Sequence, residues 1–260
     1  MMISELNNLS EKELISLIKK DIRIYFFLDK KNITENIELA LIEKNSKLFI
    51  HIKNPSEKVK LEVIRLNGDI IRHIRNPSEE IQIEAVIYNG LNIKYIKNPS
   101  EEVQLEAVQN DGYALQYIKN PSEKVQIEAV KQSVFSIQFI ENPSEKVQLA
   151  AVKLNGLYLK WIKNPSEKVQ LAAVKQDGYA IQYIKNPSEK VQLAAVKHNG
   201  YSIQNIKNPS EKVQLEAVKN NSWVIAYIKN PSKQIKQILL NEEDFPLKLP
   251  PNSFEYIKNI

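Results

Sequence analysis

Six lysines fall in two series, Lys146, Lys168 and Lys190, then Lys153, Lys175 and Lys197, and each series advances by 22 residues. Between the two series stand Ala150, Ala172 and Ala194, at the place that holds glutamate elsewhere in the chain (Glu62, Glu84, Glu106, Glu128, Glu216). On a helix turning about 100° per residue these three places share one face, so the flanking lysines are expected to lose an acidic neighbour. An uncompensated basic row suits an acidic protein surface or nucleic acid phosphates. The plainer account is a solvated face that keeps a long array soluble.

Aromatic side chains recur with the same step. Tyr113 with Tyr117, Phe135 with Phe139, Tyr179 with Tyr183 and Trp223 with Tyr227 are spaced i, i+4, and Tyr95, Trp161 and Tyr201 stand singly at matching places. Such a row packs one repeat on the next, offers amphipathic contacts to a partner, or provides stacking platforms for bases. The candidate partner-binding residues are therefore the six lysines together with Trp161, Tyr179, Tyr183, Tyr201 and Trp223.

Residues that would carry catalysis are not assembled in the sequence. His51 and His73 lie one repeat apart, which on stacked helices means roughly 8–10 Å, and no third ligand accompanies them. His198 stands alone. There is no cysteine, no phosphate-binding loop and no Gly-x-Ser-x-Gly. The expectation is a protein that is not an enzyme, with no metal and no cofactor.

What must position these side chains is a repeat. Nine Asn-Pro-Ser triplets begin at Asn54, Asn76, Asn98, Asn120, Asn142, Asn164, Asn186, Asn208 and Asn230, always 22 residues apart. All six glycines take the fifteenth place of the unit, and nine of the twelve prolines take the second. In the unit from Asn164 to Lys185, Asn164 is a suitable N-cap, Pro165 a suitable first helical residue, and Glu167 can reach back to the cap. The helix is expected to stop at Asp177-Gly178, with glycine in the left-handed conformation. A shorter segment, YAIQYIK, follows and is ended by the next Asn-Pro; at about two turns it is either α or 3-10. Val169, Leu171, Ala173 and Val174 bracket an apolar arc centred on Gln170, so the recurring glutamine needs partners. A ladder with the opening asparagines would supply them. Two units depart from the glycine rule, at Val134 and at Asn221-Ser222, where the local twist is expected to change.

The pattern Asn-Pro-x-x-x-Val-Gln-x-Ala-Ala-Val resembles the second helix of HEAT-like repeats, where Asp-Pro-x-x-x-Val-Arg-x-x-Ala is usual. It is also similar to the short variant leucine-rich repeat, which alternates an α-helix with a 3-10 segment. The resemblance covers about 54 to 240, with Asn and Gln replacing the charged Asp/Arg pair. It implies an all-α fold, a right-handed α-solenoid of helix–turn–short-helix units, with the long-helix face on the concave side. HEAT similarity admits metal-binding hydroxylases and DNA glycosylases, but the His-Glu dipeptide of the former is absent and no acid stands out from the repeat here.

The organisation expected is one elongated domain over 1–260. Residues 1–53 form N-terminal capping repeats, in which Ser10-Glu11-Lys12-Glu13 starts a helix and Tyr25, Phe26, Phe27 and Leu28 cover the end of the stack. Eight full units occupy 54–229, and 230–260 hold a partial repeat and a C-terminal cap. The formal net charge of +5 is unevenly spread, with three lysines against seven acids in 76–119 and ten lysines against four acids in 142–207. No apolar run of about 20 residues offers a membrane span. No leader with a basic start and apolar core is visible, and with the lack of cysteine this predicts a cytoplasmic location. The function expected is a monomeric, non-enzymatic scaffold that binds a protein partner. The alternative is nucleic-acid or ribonucleoprotein binding by the lysine ladder, for example by an inhibitor from a mobile element.

Overall fold

A computed structural model describes residues 3–6 and 8–240. Among them every regular element is helical and no strand occurs. The C-terminal cap expected beyond 240 lies outside the described residues. Each unit consists of a ten-residue α-helix, as in Glu167–Gln176, and a six-residue 3-10 helix, as in Gly178–Tyr183. The same pair recurs from Glu57–Leu66 with Gly68–His73 to Glu211–Asn220 with Ser222–Tyr227, a helical repeat of the solenoid class. The choice left open for the short segment is thus decided for 3-10 throughout. Its last turn closes by an i to i−3 bond, Ile184 N–H to Ile181 O at 3.0 Å, with Ile181 buried and Ile184, one three-residue turn on, half-buried.

Within Met1–Ser136 and within Ile137–Ile260, long helices pack on the long helices of adjacent repeats, and short helices on short ones. The core is a stripe of Val169, Ala173 and Val174, all at 0 % exposure, and it repeats at the equivalent places in the other units. Leu171, Ala172 and Gln170 are half-buried beside it. The buried arc is therefore narrower than expected and is not centred on the glutamine.

The start of the helix differs from the expected one by two residues. The N-cap is Ser166, whose backbone is extended (φ −62°, ψ 157°) and whose hydroxyl accepts from the Val169 N–H. Asn164 instead lies outside the helix at φ 49°, and Asn76, Asn98, Asn120 and Asn208 share this left-handed backbone. Asparagine is among the few non-glycine residues that tolerate it.

Glycine and asparagine have thereby exchanged the expected roles. No glycine has positive φ. The helix ends on Asp177, in extended backbone at φ −148°, and the Asp177 carboxylate accepts from the Tyr179 N–H to start the 3-10 segment. Glycine follows because of crowding: a Cβ on Gly112 would meet the Ala129 carbonyl oxygen at 2.7 Å, and one on Gly200 the Ala217 carbonyl oxygen at 2.8 Å.

The recurring glutamine does not join a ladder with the opening asparagines. Gln170 Nε2 donates to the carbonyl of Pro165 in its own unit at 2.9 Å, and Gln82, Gln104, Gln126, Gln148, Gln192 and Gln214 do the same to theirs. Gln214 alone of these also touches the next triplet, through Asn230 O and Ser232 N–H. Two other ladders link neighbouring units. The N-cap hydroxyl donates to the first glutamate of the preceding unit, as Ser166 to Glu145 at 2.7 Å and Ser188 to Glu167 at 2.5 Å. The glycine N–H donates to the thirteenth residue of the following unit, as Gly200 to Asn220 Oδ1 at 2.7 Å and Gly178 to His198 Nδ1 at 3.1 Å. Asn220 completes that link by donating to Lys197 O at 3.0 Å.

At the N-terminal end, Ser10 and Glu13 form a reciprocal capping box on the helix Glu11–Lys20. Thr34 replaces serine as the cap of Glu35–Lys44 and donates to Glu11, continuing the hydroxyl–glutamate ladder. Of the apolar cluster expected to cover this end, Tyr25 and Leu28 are buried, whereas Phe26 and Phe27 are 50 % and 52 % exposed. The chain divides into two compact units, Met1–Ser136 and Ile137–Ile260.

Candidate partner-binding faces

In the second compact unit the long helices Glu145–Leu154, Glu167–Gln176 and Glu189–His198 lie side by side. Because core residues occupy the sixth, tenth and eleventh places, the fifth and twelfth are turned outward and the eighth and ninth lie between. The result is an open depression of about 470 Å³ lined by Lys153, Lys168, Lys175 and Lys190 around Leu149, Leu171 and Ala172. Four of the six lysines singled out in the sequence are brought together there. Lys146 and Lys197 are exposed on the same helices but do not line it.

The loss of the ninth-place glutamate does not leave this face without acid. Lys168 Nζ pairs with Glu145 of the preceding unit at 2.8 Å, and Glu167 also lines the depression. The first glutamate of each helix was overlooked as a neighbour because it is remote in sequence and becomes adjacent only when units stack. The Lys168 ammonium, and then the Ser166 hydroxyl, hold the Glu145 carboxyl below the ordinary glutamate range. In the first compact unit Glu35 is lowered in the same way by Ser56 and Lys58. Leu149 and Leu171 were also missed as site residues, since an apolar residue at the eighth place reads as core until the stack leaves it half-buried.

The aromatic candidates form a separate set on the short helices, and none lines the lysine depression. Trp161, Tyr183 and Trp223 are 43 %, 41 % and 46 % exposed, while Tyr179 and Tyr201 are half-buried. Tyr201 meets Tyr227 of the next unit edge-on, with ring centroids 5.9 Å apart, so part of this row serves packing between repeats. Lys160 Nζ lies 5.1 Å from the Trp161 ring centroid, a cation–π geometry.

The histidines are separated in their contacts. His51 packs edge-on against Phe26 with centroids 5.2 Å apart, His73 Nε2 accepts from Arg72 Nε at 3.2 Å, and His198 belongs to the glycine ladder. Among the described residues no three His, Asp or Glu side chains come together as a metal-binding group. Nor is any described helix long and apolar enough to cross a membrane. Comparison with family models, with curated proteins and with solved structures finds no match for this chain.

Proposed function

We propose that this protein is a non-enzymatic binding scaffold that takes an acidic protein segment on the long-helix face of its second compact unit. The observation that carries the reading is the make-up of the depression, where Lys153, Lys168, Lys175 and Lys190 surround an apolar floor of Leu149, Leu171 and Ala172. A phosphate backbone uses the lysines but has nothing to place on leucine. A peptide carrying carboxylates and one or two apolar side chains uses both. A repeat array presents such a surface already ordered, so little entropy is lost on binding.

A second reading is supported by the short helices, which carry half-exposed Trp161, Tyr183 and Trp223, and by exposed Lys163, Lys185 and Lys207, each two residues beyond the end of a short helix. Rings beside cations are what a single-stranded nucleic acid requires.

The test compares a labelled acidic peptide bearing leucines, the same peptide with its leucines replaced by serine, and a single-stranded oligonucleotide. The leucine-bearing peptide is expected to bind tightest, and Ala150→Glu, Ala172→Glu and Ala194→Glu together to abolish that binding. These substitutions copy the other units and leave the fold intact. Binding of the oligonucleotide alone, with a log–log salt slope of about −2 for phosphate contacts by Lys163, Lys185 and Lys207, would replace the first reading by the second.

A further inference from the structure

We propose that the first compact unit carries a second, independent site, an anion pocket for a phosphorylated small molecule, built from Lys53, Lys60, His73 and Arg75. These four side chains line one open cavity of about 730 Å³, together with Phe49, Ile52, Asn54, Pro55 and Ile74. A volume of this order accommodates a small organic ligand. No aspartate or glutamate is among the lining residues.

The repeat supplies the internal control. In the other seven full units the seventh residue is glutamine, which donates to its own proline carbonyl; in the unit at Asn54 it is Lys60. The twentieth residue is aromatic in six of those units and asparagine in the seventh, but His73 here. Both changes therefore bring nitrogen donors to places where the unit otherwise has an amide and a ring. Lys53 and Arg75, the last residues of two successive units, stand on the same cavity with no ion pair to hold them.

One acid borders the cluster without lining the cavity. Glu57 pairs with Lys60 at 3.3 Å, and that glutamate is itself held below the ordinary range first by the Ser78 hydroxyl and then by Lys60. An ammonium has three N–H donors, so Lys60 retains capacity for an anion while paired. His73 Nε2 accepts from Arg72 Nε, which assigns the proton to Nδ1 and leaves that atom a donor. The Arg75 guanidinium adds a planar fork that matches phosphate oxygens in pairs. The chemistry is thus a cluster of donors with three formal cations, the arrangement that recognises a phosphate or diphosphate group rather than a carboxylate of single charge.

The experiment is calorimetric titration of the full chain with inorganic pyrophosphate, and with acetate as the singly charged control. One saturable pyrophosphate site and no acetate binding are expected. Lys60→Gln and His73→Tyr restore the residues of the neighbouring units, so both variants keep the fold, as circular dichroism will verify. Each is expected to weaken pyrophosphate roughly tenfold, the scale of one charge-assisted hydrogen bond. Lys153→Gln with Lys175→Gln, on the other compact unit, is expected to leave it unchanged. Absence of saturable binding, indifference to both reverting substitutions, or equal loss in the Lys153/Lys175 variant would each overturn the proposal. In the last case the chain binds anions only as a generally basic surface.

Discussion

The two compact units are built from one repeat and differ where the repeat does not need to be fixed. In both, the sixth, tenth and eleventh residues of the repeat, all on the long helix, are fully buried, as Val103, Ala107 and Val108 in the first and Val169, Ala173 and Val174 in the second. In both, a cap serine reaches the preceding glutamate, Ser122 to Glu101 and Ser188 to Glu167, at 2.5 Å in each case. The long-helix face, by contrast, changes character. In the first unit Arg65 bridges Glu62 and Glu84, and Lys131 pairs with Glu128. In the second the ninth-place glutamates become Ala150, Ala172 and Ala194, and lysines surround an apolar floor. Exposed ion pairs contribute little to stability, so exchanging them leaves the stack unharmed. The lesson is that the array separates the residues that hold units together from those free to specify a ligand, and the same scaffold presents a charge-compensated face in one half and a basic one in the other.

If the scaffold is common to both halves, the largest effects should come from places where units meet and should be equal in the two. Gly112→Val and Gly200→Val each force a Cβ against the carbonyl oxygen of the following unit, at 2.7 Å and 2.8 Å. Each is expected to cost about 3 kcal/mol by chemical denaturation, the upper part of the range for overpacking. A cost in one half only would mean that the two are not packed alike.

A smaller effect, and one that sharpens the contrast, is expected at the seventh place. Gln170→Glu removes the donor to Pro165 O and sets a carboxylate against that carbonyl, which should cost about 1–2 kcal/mol. Gln170→Lys copies Lys60 and should be tolerated at well under that. Equal costs for the two substitutions would show that the glutamine bond to proline is immaterial.

The order of these effects also explains what the sequence could reveal. The unvarying 22-residue step, the apolar places and the Pro and Gly punctuation made the repeat and its two segments legible. Local roles were harder to read, because Asn, Pro and Ser are all compatible with a helix start and only tertiary packing decides which is the cap. Ser166 prevailed over Asn164 because its hydroxyl serves twice, accepting from Val169 N–H and donating to Glu145. Glycine was read as a left-handed residue when its function is to admit a neighbour's carbonyl, a relation between residues 17 places apart such as Gly112 and Ala129. Of the candidate site, the lysine spacing was legible and the Glu145 partner of Lys168 was not, for the same reason.

The double duty of the cap serine gives an effect of intermediate size. Ser166→Ala should cost about 1 kcal/mol, the usual loss for an N-cap. It also removes one of the two bonds that lower the Glu145 pKa. A carboxyl lowered in the folded state contributes stability above its unfolded pKa and loses it as pH falls. The wild type should therefore weaken as the pH falls below about 4.5, the unfolded glutamate range, and on through the lowered folded-state pKa, and Ser166→Ala should weaken less steeply there. Ser56→Ala in the first unit, which releases Glu35 from its serine, should behave alike. Identical acid slopes for wild type and both variants would show that the ladder carries no linkage.

The smallest effect is expected at Ser202, where the repeat contains its own remedy. This side chain is fully buried in the second unit, and its hydroxyl has no hydrogen-bond partner. The equivalent places in other units hold Ala114 and Ala180, both at 0 % exposure, and neither needs a partner. At the same place Asn92 is buried too, but it donates to Ala85 O at 3.1 Å, so a polar group is accepted there when it is satisfied. Ser202→Ala removes an uncompensated hydroxyl while keeping the β-carbon, and should stabilise the protein by up to about 1 kcal/mol. Because the hydroxyl oxygen is also the atom a Gly178 Cβ would meet first, at 2.6 Å, the substitution relaxes the tightest contact on that glycine. Gly178→Ala should accordingly be less damaging in the Ser202→Ala background than alone, a coupling measurable by a double-mutant cycle. Strict additivity of the two would show that the Ala195 carbonyl, next in line at 2.7 Å, sets the limit by itself.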